Sequence, residues 1–407
     1  MSTPAQPAGA EETTVSFVPT EEQEELRATV RRFLEDRAPM TEVRRLMDTS
    51  TGYDREVWSR MGGQLGLQGL HIPEEYGGQG FTVVELALVL EEMGRALLCA
   101  PFLASACLAA SAILHGATEE QRRALLPGVA SGEVVATLAL AEESGSWDAG
   151  GIALQAWPDG GGFRLEGTKS FVVDGHIADR VVVAGRRPGS SGPEGVSLFL
   201  VEGDAAGLER SLLPTLDPTR RLARLRLSGV GATLLGEEGS AWPALTTVLR
   251  EAAVCLAAEA AGGARRCLES AVEYAKVRIQ FDRPIGSFQA LKHLCADLLL
   301  DVEQATSAAY HAARAAAEGA AELPVVASIA KACCTETYTR AATESIHIHG
   351  GIGFTWEHDA HLHLRRARSS EVLFGDPAHH RELVAREMIG AACQAMPQEA
   401  RLLSNTI

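Results

Sequence analysis

Hydrophobic positions change their period twice along the chain. Between Thr20 and Ser131, apolar residues recur at helical spacing, most clearly in VVELALVLEEMGRALL and PFLASACLAASAILHG. Thr20 followed three residues later by Gln23 makes a capping box and predicts a helix start ahead of LRATVRRFLEDRAP. The stretch LGLQGLHIPEEYGGQG is glycine-dense loop text. From Gly132 to Gly239, short β-rich runs such as VVATLAL, RVVVAG, VSLFLVEG and RLARLRL alternate with turn signals such as PDGGG, VDG and LDPT. That alternation predicts an antiparallel sheet or small barrel. From Ala241 to Ala392 the helical period returns. Two stretches exceed thirty residues and two shorter ones follow, which predicts a bundle of long antiparallel helices. The expected architecture is α+β: an N-terminal helical domain over 18–132, a β-domain over 133–239 and a four-helix bundle over 240–395. Segments 1–17 and 396–407 are expected to be tails, the first disordered because it is small, acidic and Pro-containing.

Composition narrows the partners. The 407 residues carry a formal net charge of −16, which argues against nucleic acid or an anionic membrane as a general partner. No run is long and apolar enough to span a membrane, and no signal peptide is evident, so a cytoplasmic protein is expected. Eight cysteines are scattered without a CxxC pair, mostly in helical text, and read as small buried apolar residues.

Three stretches could carry chemistry. In YAKVRIQFDRPIGSFQALKH a long helix ends near Arg278, a tight loop follows, and Gln289 opens the next helix. An Arg at such a joint can present its fork to a phosphate, or can simply be a solvated charge. In IHIHGGIGFTWEHDAHLHLRRAR, Gly350, Gly351 and Gly353 allow close backbone approach to a ligand, or make a helix stop. His347, His349, His358, His361 and His363 lie close together, but no third ligand follows at a convincing spacing and no metal is expected. No GxGxxG lies between a strand and a helix, which argues against a Rossmann-bound nicotinamide.

Taken in order, Glu74–Gly80 (EEYGGQG), LALAEESGSWDAGG, GTKSFVVDGHIADRVVV, Arg278 with Phe281, Pro284, Phe288 and Gln289, and then Gly350-Gly351 with Gly353 and Phe354, resemble the acyl-CoA dehydrogenase family over nearly the whole chain. The resemblance implies an FAD-dependent oxidoreductase. Such an enzyme abstracts the alpha proton of an acyl thioester with a carboxylate and passes the beta hydride to flavin N5. It also implies FAD shared between subunits. Leu140, Ala141, Ser146, Phe171 and Val173 would face the flavin ring. Arg278, Phe281, Gln289, His347, Gly350 and Gly351 would reach a neighbour's FAD. The implied partners are acyl-CoA or a carrier-protein thioester, electron-transfer flavoprotein or a similar acceptor, and further subunits: a homodimer, a homotetramer, or a heterotetramer with a second dehydrogenase chain. The acidic surface favours CoA over an acidic carrier protein.

The chain departs from the family where the carboxylate should be. The usual position is Phe374, before Gly375, and the minority position is Ala252, with Ala253 where an Arg commonly follows. Val173 stands where the family has a Thr near flavin N5, and Ala141 where it has Thr before Glu142. Three carboxylates lie near enough to substitute. Glu251 is one residue from Ala252, which turns it about 100° round a helix. Glu259 is on the same face but roughly 10 Å further along the axis. Asp376 follows Phe374 by two. The blander roles are a solvated charge, a paired buried Glu and a helix cap. The first expectation is a dehydrogenase with a relocated base. The alternatives are a non-catalytic subunit that completes the FAD site of a partner dehydrogenase, and a flavin-dependent oxidase or monooxygenase on the same scaffold.

Overall fold

The computed structural model describes residues 19–395, with side chains to 390; both expected tails therefore lie outside the described residues. Helices α1 (Glu21–Arg37), α2 (Met40–Met47), α3 (Arg55–Gly63), α4 (Val83–Ala96), α5 (Ala110–Gly116) and α6 (Glu119–Ala130) build the N-terminal domain. The Thr20 capping box forms: Gln23 N donates to Thr20 Oγ1 at 3.2 Å and Thr20 N to Gln23 Oε1 at 3.0 Å. Thr82 with Glu85 and Thr118 with Gln121 repeat the device. The stretch expected to run as one helix into α5 is instead π-helical over Leu103–Ala109, with the N–H of Ala110 reaching back to the carbonyl of Ser105. Ser105 Oγ there accepts from the N–H of Ala136, which ties this turn to the first strand.

That strand, β1 (Ala136–Ala139), enters the middle domain. β2 (Gln155–Asp159), β3 (Gly162–Val173), β7 (Leu222–Leu235), β5 (Val196–Glu202) and β4 (Arg180–Arg186) pair in that order, and β4 closes back on β2. β6 (Leu208–Leu212) adds to β7. The expected small barrel is therefore present. Its antiparallel pattern is broken at β4: the closing β2–β4 pair is parallel, Gln155 opposite Arg186, and β1 lies parallel along β4, Ala136 opposite Arg180. β1 arrives from the helical domain, so no hairpin forces it antiparallel.

The C-terminal half holds α7 (Ala241–Val277), α8 (Gln289–Ala317), α9 (Leu323–His349), α10 (Ala360–Val372) and α11 (Pro377–Ala395). A two-residue ribbon, β8 (Ile279–Gln280) with β9 (Arg283–Pro284), joins α7 to α8. α7 packs on α4 with backbones almost touching: a Cβ at Gly94 would strike the Glu259 carbonyl, and one at Gly262 the Glu91 carbonyl.

One buried ionic knot joins the three domains. Arg366 of α10 donates to Glu259 of α7 at 2.5 Å, to Asp217 at 3.0 Å, to Thr219 in the loop before β7, and to the Leu98 carbonyl of the N-terminal domain at 3.3 Å. Arg220 pairs with the other Glu259 oxygen and donates to Ser370 Oγ at 3.0 Å. Burial pushes the Glu259 carboxyl up, but the two arginines outweigh it and hold it below the usual 4.5. Nearby Asp174 is buried and raised to about 7, its desolvation only partly offset by Arg220, Arg366 and Arg221.

Arg366→Met leaves Glu259 and Asp217 without their shared cation and should cost about 3–5 kcal/mol in denaturant unfolding. A change within experimental error would show that the knot is not closed in solution. Asp174 predicts a pH effect of defined sign. Its folded value lies above its ordinary 3.8, so between about pH 4 and 7 the folded chain holds a proton that the unfolded chain has released. Its contribution to stability therefore falls as pH rises through that window. Asp174→Asn should raise the melting midpoint at pH 8 more than at pH 5; equal shifts would exclude Asp174 as the source.

Candidate active site and cofactor-binding surface

The α10–α11 joint carries the position expected for a base. α10 stops at Val372. Left-handed backbone begins at Phe374, with φ +59°, ahead of the glycine that would take it at no steric cost, and Gly375 continues it at +105°. An aromatic residue there is strained, and neighbours must hold it. Lys331 does so, its buried Nζ donating to the carbonyls of Glu371 at 3.2 Å and Gly375 at 3.1 Å. Burial lowers that amine to about 8. Asp376 is exposed and caps α11, its Oδ1 accepting from the N–H of His379 at 2.8 Å.

Phe374 is 7 % exposed, and its ring lies edge-on to Trp147 with centroids 5.0 Å apart. Trp147 belongs to the loop after β1, the segment expected to face the flavin ring. Ala252 and Ala253 are sealed in the core. Glu259 shows which way that face of α7 points, because seven residues are almost two whole turns. It meets Arg220 and Arg366, so the Ala252 face looks toward the middle domain and α10. Glu251 is turned off that face toward the N-terminal domain, where its Oε1 lies 2.8 Å from His115 Nε2. Burial raises the Glu251 carboxyl, but the His115 hydrogen bond and charge, Ser111 and His71 bring it below the ordinary range. His71, beside it, is lowered to about 4 by burial, and neither of its ring nitrogens has a partner. All three candidate carboxylates are thus engaged, and on different surfaces.

The rest of the segment expected to face the flavin ring is built around Lys169. This buried amine donates to the Leu140 carbonyl at 2.9 Å and to Glu142 at 2.7 Å, and burial lowers it to about 8 against the pull of Glu142. The Ala141 carbonyl accepts from Ser170 N, and Ser146 Oγ accepts from Asp148 N. A bulge between Lys169 and Val172 pushes Phe171 outward at φ +58°, 40 % exposed, as an aromatic platform. Val173 is buried and offers no side-chain donor.

The second group of residues forms one exposed surface. α7 ends at Arg278, and the β8–β9 ribbon turns through Phe281 and Asp282 at φ +54° and +61°, both left-handed as this two-residue turn demands. Phe281 is 85 % exposed; its edge faces Phe288, over which Arg283 lies at 4.1 Å. Gln289 opens α8 with its Nε2 2.6 Å from His293 Nε2. The His349 ring packs on Tyr274 at 4.5 Å, which docks the end of α9 beside the end of α7. That contact brings Gly350 and Gly351 to the same region. Gly350 takes φ +66°, and a Cβ at either glycine would meet nothing within 4 Å. His347 is exposed and pairs with Glu344 at 3.1 Å. Among the described residues the Arg278 guanidinium has no side-chain partner, and no group of three or more His, Cys, Asp or Glu could hold a metal ion.

These two surfaces fit FAD unequally. The outward one offers a free guanidinium, exposed aromatic surface and a bare glycine backbone, as a dinucleotide's phosphates and adenosine require. The inward one keeps Phe171 but lacks a side-chain donor at Val173, and Trp147 packs on Phe374 beside it. Trp147, Lys169 and Lys331 were missed in the sequence. The Trp within SGSWD was a visible signal; neither lysine had one.

Family models for the acyl-CoA dehydrogenase N-terminal, middle and C-terminal domains match residues 20–133, 137–228 and 239–389. The chain is 36 % identical over 373 residues to acyl-CoA dehydrogenase IpdE2 of Mycobacterium tuberculosis, covering 91 % of this chain and 97 % of that one. Two solved structures share the fold. The Tcur3481-Tcur3483 steroid ACAD has a TM-score of 0.81 at 31 % identity, covering 91 % of this chain and 99 % of that one. The ChsE4-ChsE5 complex of Mycobacterium tuberculosis has a TM-score of 0.83 at 27 % identity, covering 94 % and 100 %.

The Trp147–Phe374 contact can be measured. A double-mutant cycle with Trp147→Ala and Phe374→Ala should return a coupling of about 0.5–1.5 kcal/mol in unfolding free energy. Additive effects would mean that the two rings do not meet.

Proposed function

The chain belongs to the acyl-CoA dehydrogenase family of flavoprotein oxidoreductases, and we propose that it is one subunit of a two-chain acyl-CoA dehydrogenase. In this reading the assembly dehydrogenates an acyl thioester between its alpha and beta carbons. The second chain brings the carboxylate, and this chain completes that chain's FAD site. The contrast between its two surfaces carries the reading. Where a base would stand, Phe374 packs on Trp147 and Ala252 is sealed. Where a neighbour's FAD would lie, Arg278 is free, Phe281 is exposed on a strained turn, and Gly350-Gly351 lie open. Strain of that kind persists where function holds it.

FAD, when bound, supplies the hydride acceptor. The residues of this chain would bind and orient it: the Arg278 fork on the diphosphate, Phe281 as apolar cover, Gln289 as a polar contact, and the bare glycine backbone beside the adenosine part. ChsE4-ChsE5 is a complex of two chains, and the Tcur3481-Tcur3483 neighbour is described as a steroid ACAD. Both support a mixed assembly, and the second makes a polycyclic acyl thioester the substrate class to try first. A second reading, with Glu251 as this chain's own base, draws on its hydrogen bond to His115, which keeps the carboxylate ionised.

Expressed alone, the chain should be colourless. Co-expressed with a dehydrogenase chain that has the family carboxylate, it should co-purify yellow and bleach on adding acyl-CoA. Arg278→Ala should then weaken FAD retention by about 10–100-fold while the two chains still co-purify. A yellow homo-oligomer of this chain alone that bleaches with acyl-CoA would sink the partner reading. In that case Glu251→Gln decides the base: bleaching lost with flavin retained assigns it to Glu251, and bleaching unchanged removes Glu251.

A further inference from the structure

A cleft of about 450 Å³ opens between α1, α4, α7 and the start of α10, lined by none of the residues assigned above to FAD or to the base. Its walls are apolar at Leu34, Ala38, Met40 and Ala96, and the volume lies within the range of small-molecule sites. Most of its charges are already matched. Arg31 makes two bonds to Glu92, at 2.7 and 2.6 Å, Arg95 pairs with Glu269 at 2.5 Å, and Asp359 with Arg44 at 2.7 Å. Glu35 sits exposed in the lining. Arg266 is the underused cation: among the described residues its one carboxylate, Glu273, is 4.0 Å away, and both side chains are partly exposed.

His363 supplies the second observation. It is only 6 % exposed, yet it lines the cleft. Its Nδ1 lies 2.9 Å from the hydroxyl of buried Tyr338, and among the described residues the ring makes no other hydrogen bond. Burial, with Arg266 the foremost charge acting on it, lowers the imidazole to about 3, so it is neutral at ordinary pH. Burial also raises the Tyr338 hydroxyl, which stays protonated and so has a proton to donate to Nδ1. In the tautomer that accepts that proton, the ring's own proton is on Nε2, a donor with no partner among the described residues, in the same lining as Arg266. Ser270, on the same face of α7 as Arg266, adds a hydroxyl to the lining.

We propose that this cleft is a second ligand site, for a small amphipathic organic anion whose carboxylate or phosphate head is held by Arg266 and the Nε2–H of His363, with its short apolar body against Leu34, Ala38 and Met40. Calorimetric titration of the full chain with hexanoate and with hexyl phosphate tests it. At least one probe should bind saturably, and the tighter one identifies the head group. Arg266→Met should weaken that probe about tenfold or more. Ser270→Phe, which fills the lining but leaves every charge in place, should weaken it as well, with both variants folded by circular dichroism. FAD retention by the assembled protein should not change. No binding of either probe, or equal binding to wild type and Arg266→Met, overturns the proposal.

Discussion

Everything in this molecule is arranged around the guanidinium of Arg366. It is almost completely buried and bonds to groups from all three domains: Glu259 on α7, Asp217 and Thr219 ahead of β7, and the Leu98 carbonyl at the end of α4. Removing such a charge from water is expensive, and the site tolerates it because every direction of the fork meets an acceptor. A knot of this kind adds little net stability compared with a well-packed apolar core. Its effect is selective: α10 can sit on the middle domain in only one rotation and one register. That placement carries Phe374 onto Trp147, and through Glu259 it fixes which face of α7 looks at the middle domain.

The same constraint separates the candidate carboxylates. Glu259 belongs to the knot, and moving it would break two ion pairs. Glu251 lies eight residues earlier on α7, and that spacing takes it off the Ala252 face and onto His115. Asp376 lies beyond the joint and is spent on the first turn of α11. Three acids that look interchangeable in one dimension are therefore sorted by helix geometry onto three surfaces.

The sequence made the periodic parts legible. The helices of both halves, the Thr20 capping box and the switch to short strands all follow from local pattern, because each is decided by neighbours within a few residues. What it hid depends on long-range contact. Asp217, Arg220, Glu259 and Arg366 are spread over 150 positions, so nothing local marks them as a unit. The π-helical turn at Leu103–Ala109 is written in the same Ala-rich text as a plain helix, and the parallel pairing of β1 depends on where the chain enters the barrel. At the α10–α11 joint Gly375 is the obvious left-handed residue in the sequence. The helix ends at Val372, and Phe374, buried against Trp147 and clamped by Lys331, takes the strain that a glycine would have avoided.

That strain bears on how the two cofactor surfaces differ. Phe374 and Phe281 both adopt left-handed backbone that aromatic residues disfavour. Phe374 has burial, an edge-on ring contact and two lysine hydrogen bonds nearby to hold it, so packing alone accounts for it. Of these Phe281 has an edge-on ring contact, with Phe288, but no burial and no lysine: it is almost fully exposed, on a two-residue turn, beside an Arg278 that bonds to no side chain among the described residues. A fold gains nothing by itself from an exposed strained aromatic next to an unpaired cation. The residues become sensible once another molecule covers them, with the ring against apolar surface and the guanidinium against negative charge. The outward surface is thus unfinished in the isolated chain, which is what the proposed role at a neighbour's FAD requires, while the inward seam is finished with its own side chains.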